Sequence, residues 1–228
     1  MTRSSEPELK WRYERKYPQD IYSLAEVELL VRLHPALFIE AHPPRWVNSL
    51  YFDTPALGGL ADSVNGQRDR VKVRIRWYGG MKRRIKSPTI EFKRKRGRLG
   101  SKDRYELAPI DFRNGIAPLQ EELEGSPPLP DDIRSALRLL VPVSLVRYRR
   151  LYYLSADRRF RLTVDADLSF YRVLPGSRRL ARLPDTFRGT VVEVKYGSDS
   201  DEAARPVLEA LPFRWSRFSK YCAAFEGV

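Results

Sequence analysis

The sequence predicts a mainly β fold of the α+β class, and three observations support this. Residues 70–77 alternate basic and apolar side chains without a break, and a period of two is typical of a strand. The same alternation recurs in four other short segments rich in Val, Ile, Phe or Tyr. No tandem repeat or linker divides the 228 residues, a length that suits one large domain.

Eight segments combine β-branched or aromatic residues with this period or with flanking turn signals, and each is predicted to be a strand. They lie at about residues 11–17, 46–53, 70–78, 88–96, 102–107, 143–155, 159–172 and 190–195. The second of them ends in a turn, because Asp53 can bond the backbone ahead of Pro55.

Helices are predicted where start signals precede apolar runs. Ser23 and Glu26 match a capping box before a helix at residues 25–33. Asp131 and Asp132 favour the start of a helix that ends near residue 140, since acids complement the helix dipole there. A brief helix at 57–64 and a last one after 199–201 complete the set.

The strand at 70–78 has one strongly cationic face. Arg70, Lys72, Arg74 and Arg76 share that face at intervals of ~7 Å with no acid among them, so they repel each other. A solvated outer face usually mixes Lys with Glu. An open sheet could show these cations to water, whereas a closed barrel would turn them inward and would require a polyanion to neutralise them.

The overall charge also predicts an anionic partner. The formal net charge is +13 and the pI is near 10.0, which suits nucleic acid, a phosphorylated metabolite, polyphosphate or an acidic membrane. A nucleic-acid binder would place stacking aromatics on its basic faces. Trp77, Phe92 and Phe160 fall opposite the cations, so we expect no nucleic acid.

The cysteine content, the N-terminus and the hydropathy predict the cellular compartment. The single cysteine, Cys222, excludes an internal disulfide and fits a reducing compartment. The polar N-terminus does not resemble a signal peptide, and no apolar run approaches ~18 residues. We therefore expect a cytoplasmic protein, which could associate with a membrane through a partner. Nothing in the sequence indicates its oligomeric state.

The residue types available favour oxygen-ligand chemistry. His34 and His42 lie beside prolines with no Cys/His cluster, which argues against a zinc site. Neither a P-loop nor a Gly-x-Ser-x-Gly motif is present. Glu14, Glu91 and Glu193 lie one per strand among cations. They are either ion-pair partners or ligands for Mg²⁺ or Mn²⁺ that bridge phosphates.

Eight motifs, in family order over roughly residues 11–225, resemble the vacuolar transporter chaperone (VTC) domain. This domain is a branch of the triphosphate tunnel metalloenzymes and is related to the CYTH domains. The motifs are Tyr13-Glu-Arg-Lys-Tyr17, Ser49-Leu-Tyr-Phe-Asp-Thr-Pro55, Lys72-Val-Arg-Ile-Arg-Trp-Tyr-Gly79, Glu91-Phe-Lys93, Tyr148-Arg-Arg150, Arg161-Leu-Thr-Val-Asp165, Val192-Glu-Val-Lys195 and Arg217-Phe-Ser-Lys-Tyr221.

The resemblance implies a closed antiparallel β-tunnel of eight strands, with a few peripheral and terminal helices and an interior of Arg, Lys and Glu. It implies one such domain over residues 11–228 after a flexible N-terminus at 1–10. The implied activity is a polyphosphate polymerase that transfers the γ-phosphate of ATP to a growing chain with Mn²⁺ or Mg²⁺. A tripolyphosphatase or nucleoside triphosphatase of the same fold, or a non-catalytic polyphosphate-binding module, remains an alternative.

The resemblance also assigns residues. Catalytic phosphate-binding positions are matched by Lys16, Arg74, Arg76, Lys93, Lys102, Arg150, Arg161 and Lys220. Substrate-binding candidates are Arg217, from the terminal motif, and Lys72 and Lys195, from the cationic faces. Glu193 matches the metal-binding glutamate, and Glu14 and Glu91 are weaker metal candidates.

One position departs from the wider superfamily. Arg12 stands where a CYTH protein carries the first Glu of Glu-x-Glu-x-Lys, which weakens the case for two-metal hydrolysis and favours the VTC branch. No membrane segment or inositol-phosphate-binding SPX domain is evident. Translocation of a product would therefore require a separate membrane partner.

Overall fold

The computed structural model describes residues 12–81, 84–97, 99–112, 116, 123, 129–174, 179–183 and 187–225. The N-terminus at 1–10, predicted to be flexible, lies outside these ranges. Eleven strands are present in them: β1 (Arg12–Gln19), β2 (Ile39–Asp53), β3 (Asp69–Tyr78), β4 (Arg84–Ile85), β5 (Thr89–Arg96), β6 (Leu99–Glu106), β7 (Ile110–Asp111), β8 (Val141–Leu154), β9 (Arg161–Val173), β10 (Leu180–Arg182) and β11 (Thr190–Gly197).

Eight of these strands form a closed antiparallel ring. Their order is β9-β11-β1-β6-β5-β3-β2-β8, and pairing of β8 with β9 closes the ring. The short strand β10 pairs with the end of β9 beyond β11, and β4 and β7 form a separate two-stranded sheet. The predicted eight-stranded tunnel is therefore confirmed.

The α-helices with described bounds are α1 (Leu24–Arg32), α2 (Gly58–Val64), α3 (Asp131–Arg138), α4 (Asp201–Glu209) and α5 (Lys220–Ala223), and a 3₁₀ turn spans Ser198–Ser200. The predicted capping box of Ser23 and Glu26 is present at α1. Asp53 accepts hydrogen bonds of 2.8 Å from the backbone N–H groups of Gly59 and Leu60, and so holds the start of α2 against the end of β2. None of these helices is long and apolar enough to cross a bilayer.

Much of the outer face of the ring is apolar and buried. Val73, Ile75, Trp77 and Phe92 pack in one buried cluster that also holds Ile133 of α3. A second cluster packs α1 and α4 against β1, β9 and β11. The two faces of β3 are therefore oriented as predicted. Its apolar side chains point outward, under helices and loops, and its cations point inward.

The C-terminal segment, residues 216–225, enters the ring. The backbone N–H of Ser216 donates to the carbonyl of Lys16 at 3.1 Å. Tyr221 stacks on Tyr51 with ring centroids 5.1 Å apart, and its hydroxyl donates to Asp53. Since Ala223 and its neighbours join a buried cluster with inward residues of β2 and β8, the chain fills one end of its own tunnel.

The strand β2 begins earlier than predicted, at Ile39 instead of residue 46. Register shifts lie on both sides of His42, and the second of them, between His42 and Arg45, contains Pro43 and Pro44. Proline lacks a backbone N–H and is tolerated in sheets at bulges. The two prolines break the period of two, which is why the sequence pattern did not reveal the start of this strand.

The assignment of faces predicts unequal effects of one substitution at two positions of β3. Val73 is 7% exposed and Val71 is 39% exposed, and both are on the outer face. Val73→Asp buries an unpaired carboxylate and is expected to lower the free energy of unfolding by roughly 3 kcal/mol or more. Val71→Asp should change it by less than ~1 kcal/mol. Urea unfolding followed by circular dichroism measures both, and equal losses would contradict the assignment.

Candidate functional site

The interior of the ring, called the lumen below, holds the predicted site residues of β3, β5 and β6 around Glu91. Arg74 donates to Oε2 of Glu91 from Nε at 2.8 Å and from Nη2 at 2.6 Å, and Lys102 donates to Oε1 at 3.0 Å. The Nη1 atom of Arg76 lies 3.6 Å from the same carboxylate. Burial opposes ionisation, but these three cations hold the pKa of Glu91 far below its usual range.

A second group lies on β1 and β11, which pair Lys16 with Glu193 and Glu14 with Lys195. Lys93 of β5 donates to both oxygens of Glu14 at 2.9 and 2.8 Å, and Nζ of Lys16 lies 3.2 Å from Glu14 Oε1. Nζ of Lys195 lies 2.5 Å from Glu193 Oε1. Burial and the nearby Glu14 act to raise the pKa of Glu193, but Lys195, Lys16 and Arg150 keep it lowered.

Asp165 anchors the third group and was not among the predicted site residues. It is fully buried and accepts a forked pair of hydrogen bonds from Arg150, at 2.5 Å from Nε and 2.7 Å from Nη2. Nζ of Lys220 lies 2.5 Å from its Oδ2. The signal was present in the sequence, because Asp165 shares a face of β9 with Thr163 and Arg161 by alternation.

Tyr148 connects the first and third groups. Its hydroxyl accepts from Nη2 of Arg76 at 3.1 Å, and its ring lies under Arg150 at 5.2 Å and Lys220 at 4.8 Å. Burial acts to raise the pKa of Tyr148, but Arg150 and Arg76 leave it lowered overall. The lumen is therefore one continuous network of charges and hydrogen bonds.

Cations outnumber carboxylates in this network. Among the residues that the structure describes, its ion pairs involve eight cations, which share the four carboxylates Glu14, Glu91, Asp165 and Glu193. The chain thus neutralises about half of its own inward charge, and the remaining positive charge favours an anion with several negative oxygens.

The other predicted residues lie at the edges of the lumen. Lys72 donates to the hydroxyl of Ser219 in the C-terminal segment at 2.8 Å. Arg161 is exposed at the start of β9, where it pairs with Lys195 of β11. Arg217 is also exposed, and its guanidinium lies near Gly66. Twelve of the fourteen predicted side chains lie in the lumen or its lining, including Lys102, which is exposed but pairs with Glu91. Arg161 and Arg217 lie at exposed positions.

Two lysines of the lumen have strongly lowered pKa values. Burial, with Lys16 and Lys195 nearby, lowers the pKa of Lys93 to about 7 although Glu14 acts to raise it. Burial likewise lowers the pKa of Lys72 to about 8. Near neutral pH these side chains can therefore gain or lose a proton as an anion binds or leaves.

Glu193 fits a divalent metal better than Glu91 does. It lies beside Glu14 on the adjacent strand, and each charge disfavours the other, as the effect of Glu14 on Glu193 indicates. Glu91 contacts three cations, Arg74, Arg76 and Lys102, whereas Oε2 of Glu193 meets Arg150 at the longer distance of 3.7 Å. No group of three or more Asp, Glu, His or Cys suited to a metal lies among the residues that the structure describes.

Sequence comparison identifies the family. The model of the VTC domain matches residues 3–228. The chain belongs to the VTC domain family. This confirms the resemblance seen in the motifs, and it agrees with a triphosphate tunnel fold. No curated protein sequence matches the chain at a significant level.

Solved structures share the fold of this VTC domain. A protein of Pyrococcus horikoshii OT3 is 14% identical with a TM-score of 0.51, and the match covers 94% of this chain and 98% of that one. A proposed adenylate cyclase from Vibrio parahaemolyticus is 12% identical with a TM-score of 0.52, covering 93% and 97%. A conserved hypothetical protein from Pyrococcus furiosus is 14% identical with a TM-score of 0.50, covering 92% and 99%. At these identities the likeness concerns the fold alone.

Removal of the buried carboxylate at Asp165 is expected to be costly. Asp165→Asn leaves Arg150 and Lys220 without their counter-charge and should lower the free energy of unfolding by roughly 3–5 kcal/mol. The matched control is Asp103→Asn, because Asp103 pairs with Arg94 at 2.9 Å with both side chains more than 40% exposed, and such pairs contribute ~1 kcal/mol or less. Denaturant unfolding of both variants tests this, and a tolerant Asp165→Asn would contradict the role of this ion-pair group.

The lowered pKa of Lys93 predicts proton uptake when an anion binds. The free lysine is partly neutral above pH 7, and a bound anion favours its charged form. Wild-type protein at pH 8 should therefore take up protons when it binds tripolyphosphate. Its affinity for tripolyphosphate should fall by roughly tenfold between pH 8 and pH 9. Lys93→Arg keeps the charge at all these pH values. Calorimetric titrations in two buffers of different ionisation heat should show less proton uptake and a flatter pH dependence of the affinity for Lys93→Arg than for wild type. Identical behaviour of the two proteins would refute the lowered pKa of Lys93.

Proposed function

We propose that this protein is a polyphosphate polymerase that transfers the γ-phosphate of ATP onto a growing polyphosphate chain in the lumen. The observation that carries the proposal is the excess of lumen cations over carboxylates in a member of the VTC domain family. Both the donor and the growing chain carry linear runs of phosphate, and the cations of the lumen suit the phosphate oxygens of both.

The proposed reaction requires positioning and charge more than a protein nucleophile. A terminal oxygen of the chain attacks the γ-phosphorus in line, the bond from that phosphorus to the β–γ bridging oxygen breaks, and ADP leaves with the electron pair. Arg74, Arg76 and Arg150 present forked donors that suit the non-bridging oxygens. Lys16 and Lys220 add point charges, which keep the two reacting groups together despite their repulsion.

The proposal assigns the carboxylates to metal binding. Glu193, assisted by Glu14, would hold Mn²⁺ or Mg²⁺ together with phosphate oxygens, as is usual for Mg²⁺ sites with one or two carboxylates. The metal would supply positive charge to the β- and γ-phosphate oxygens. Glu91 would instead fix Arg74 and Lys102 in place through its two oxygens.

Incubation of the purified protein with ATP and Mn²⁺ tests the proposed activity directly. ADP and long polyphosphate chains on a gel are the expected products, and Glu193→Gln should lower the rate by at least about a hundredfold because it removes a ligand charge. The matched control is Glu209→Gln, since Glu209 is exposed and pairs with Arg205 of the same helix, α4.

The other outcomes identify the alternatives. Release of orthophosphate alone would overturn the polymerase and favour the tripolyphosphatase or nucleoside triphosphatase. Tight binding of polyphosphate without turnover with either metal would favour a binding module. Unchanged turnover in Glu193→Gln would refute the metal assignment.

A further inference from the structure

One end of the lumen carries a stack of aromatic and cationic side chains, called the mouth stack below: His42, Arg45, Tyr78 and Tyr152. The guanidinium carbon of Arg45 lies 4.5 Å from the ring centroid of Tyr78 and 4.8 Å from that of Tyr152. His42 meets Tyr152 edge-on, with centroids 5.8 Å apart and planes at 85°. Tyr78 is 43% exposed, so the stack remains accessible to solvent.

The strand register places the mouth stack just beyond the phosphate-binding arginines. Tyr78 follows Arg76 by two residues in β3 and Tyr152 follows Arg150 by two in β8, so each tyrosine shares the lumen face with its arginine. Arg45 of β2 pairs directly with Arg150. Since two residues of strand rise about 7 Å, the stack lies one such step outside those arginines.

The mouth stack is at the opposite end from the C-terminal segment. Lys72 contacts Ser219 of that segment, and Tyr78 lies six residues further along β3, or about 20 Å of strand. A ligand that extends out of the lumen past Arg76 therefore meets Tyr78, Tyr152 and Arg45.

The chemistry of the mouth stack is not that of a phosphate site. Phenol rings and a guanidinium held between them present flat π surfaces, which attract flat rings by stacking. A phosphate chain has no flat face, whereas a nucleoside triphosphate joins a flat base to its phosphates through one ribose. The ribose separates base and phosphates by a length comparable with the distance from the mouth stack to the arginines. We propose that the mouth stack binds the base of a nucleoside triphosphate whose phosphates enter the lumen. This inference rests on the proposed function, because it takes the lumen as the triphosphate site.

Paired binding measurements separate recognition of the base from recognition of phosphate. Isothermal titration of ATP and of tripolyphosphate is carried out on wild-type protein, Tyr78→Leu and Tyr152→Leu, with Trp215→Leu as a control at an aromatic that is 52% exposed. The leucine variants should bind ATP about tenfold more weakly and tripolyphosphate within about twofold of wild type. Tyr78→Phe and Tyr152→Phe keep the rings and should bind ATP like wild type, which also guards against a folding defect in the leucine variants.

The outcomes test binding of the base and binding of the phosphates separately. If both ligands weaken equally, or if ATP binding is unchanged in both leucine variants, the mouth stack does not bind the base, and the proposed function is unaffected. If wild-type protein binds neither ATP nor tripolyphosphate, the phosphate site itself is refuted and the base site with it.

Discussion

The structure depends on how charge is balanced inside a closed ring. Eight inward cations share four carboxylates, and three of those carboxylates are almost completely buried. Charges removed from water are tolerated only with close partners and satisfied hydrogen bonds. The Arg74–Glu91 and Arg150–Asp165 contacts meet that requirement, so the chain can fold with a cationic interior before any ligand enters. The remaining positive charge is what makes a linear polyanion a fitting ligand.

Burial of the outward, apolar face of the strands offsets the cost of this charged interior. Side chains such as Val73 and Trp77 bury the outer face under α3 and its neighbouring loops, while α1 and α4 cover the opposite side. The C-terminal segment then fills one end of the ring through Tyr221 and Lys220. One polar end remains, and it is there that the mouth stack lies.

Local sequence patterns predicted the strands and their faces because alternation is a local property, whereas closure of the sheet into a tunnel was implied by the family resemblance. The faces of β3, the capping box at Ser23 and the eight ring strands were all expected. Partners distant in sequence were not. Asp165 meets Lys220 across 55 residues only after the ring closes, and no local pattern encodes that contact. The exposure of Arg161 and Arg217 depends equally on where the ring ends, and the prolines before Arg45 concealed the start of β2.

A crystal structure of the protein soaked with tripolyphosphate and Mn²⁺ tests the central claim most directly. The anion is expected inside the ring, with its oxygens within hydrogen-bond distance of Arg74, Arg76 and Arg150, and with manganese on Glu193. An anion bound only to outer surface lysines and arginines, with the lumen ion pairs unchanged, would contradict the view that the interior charge exists to bind condensed phosphate.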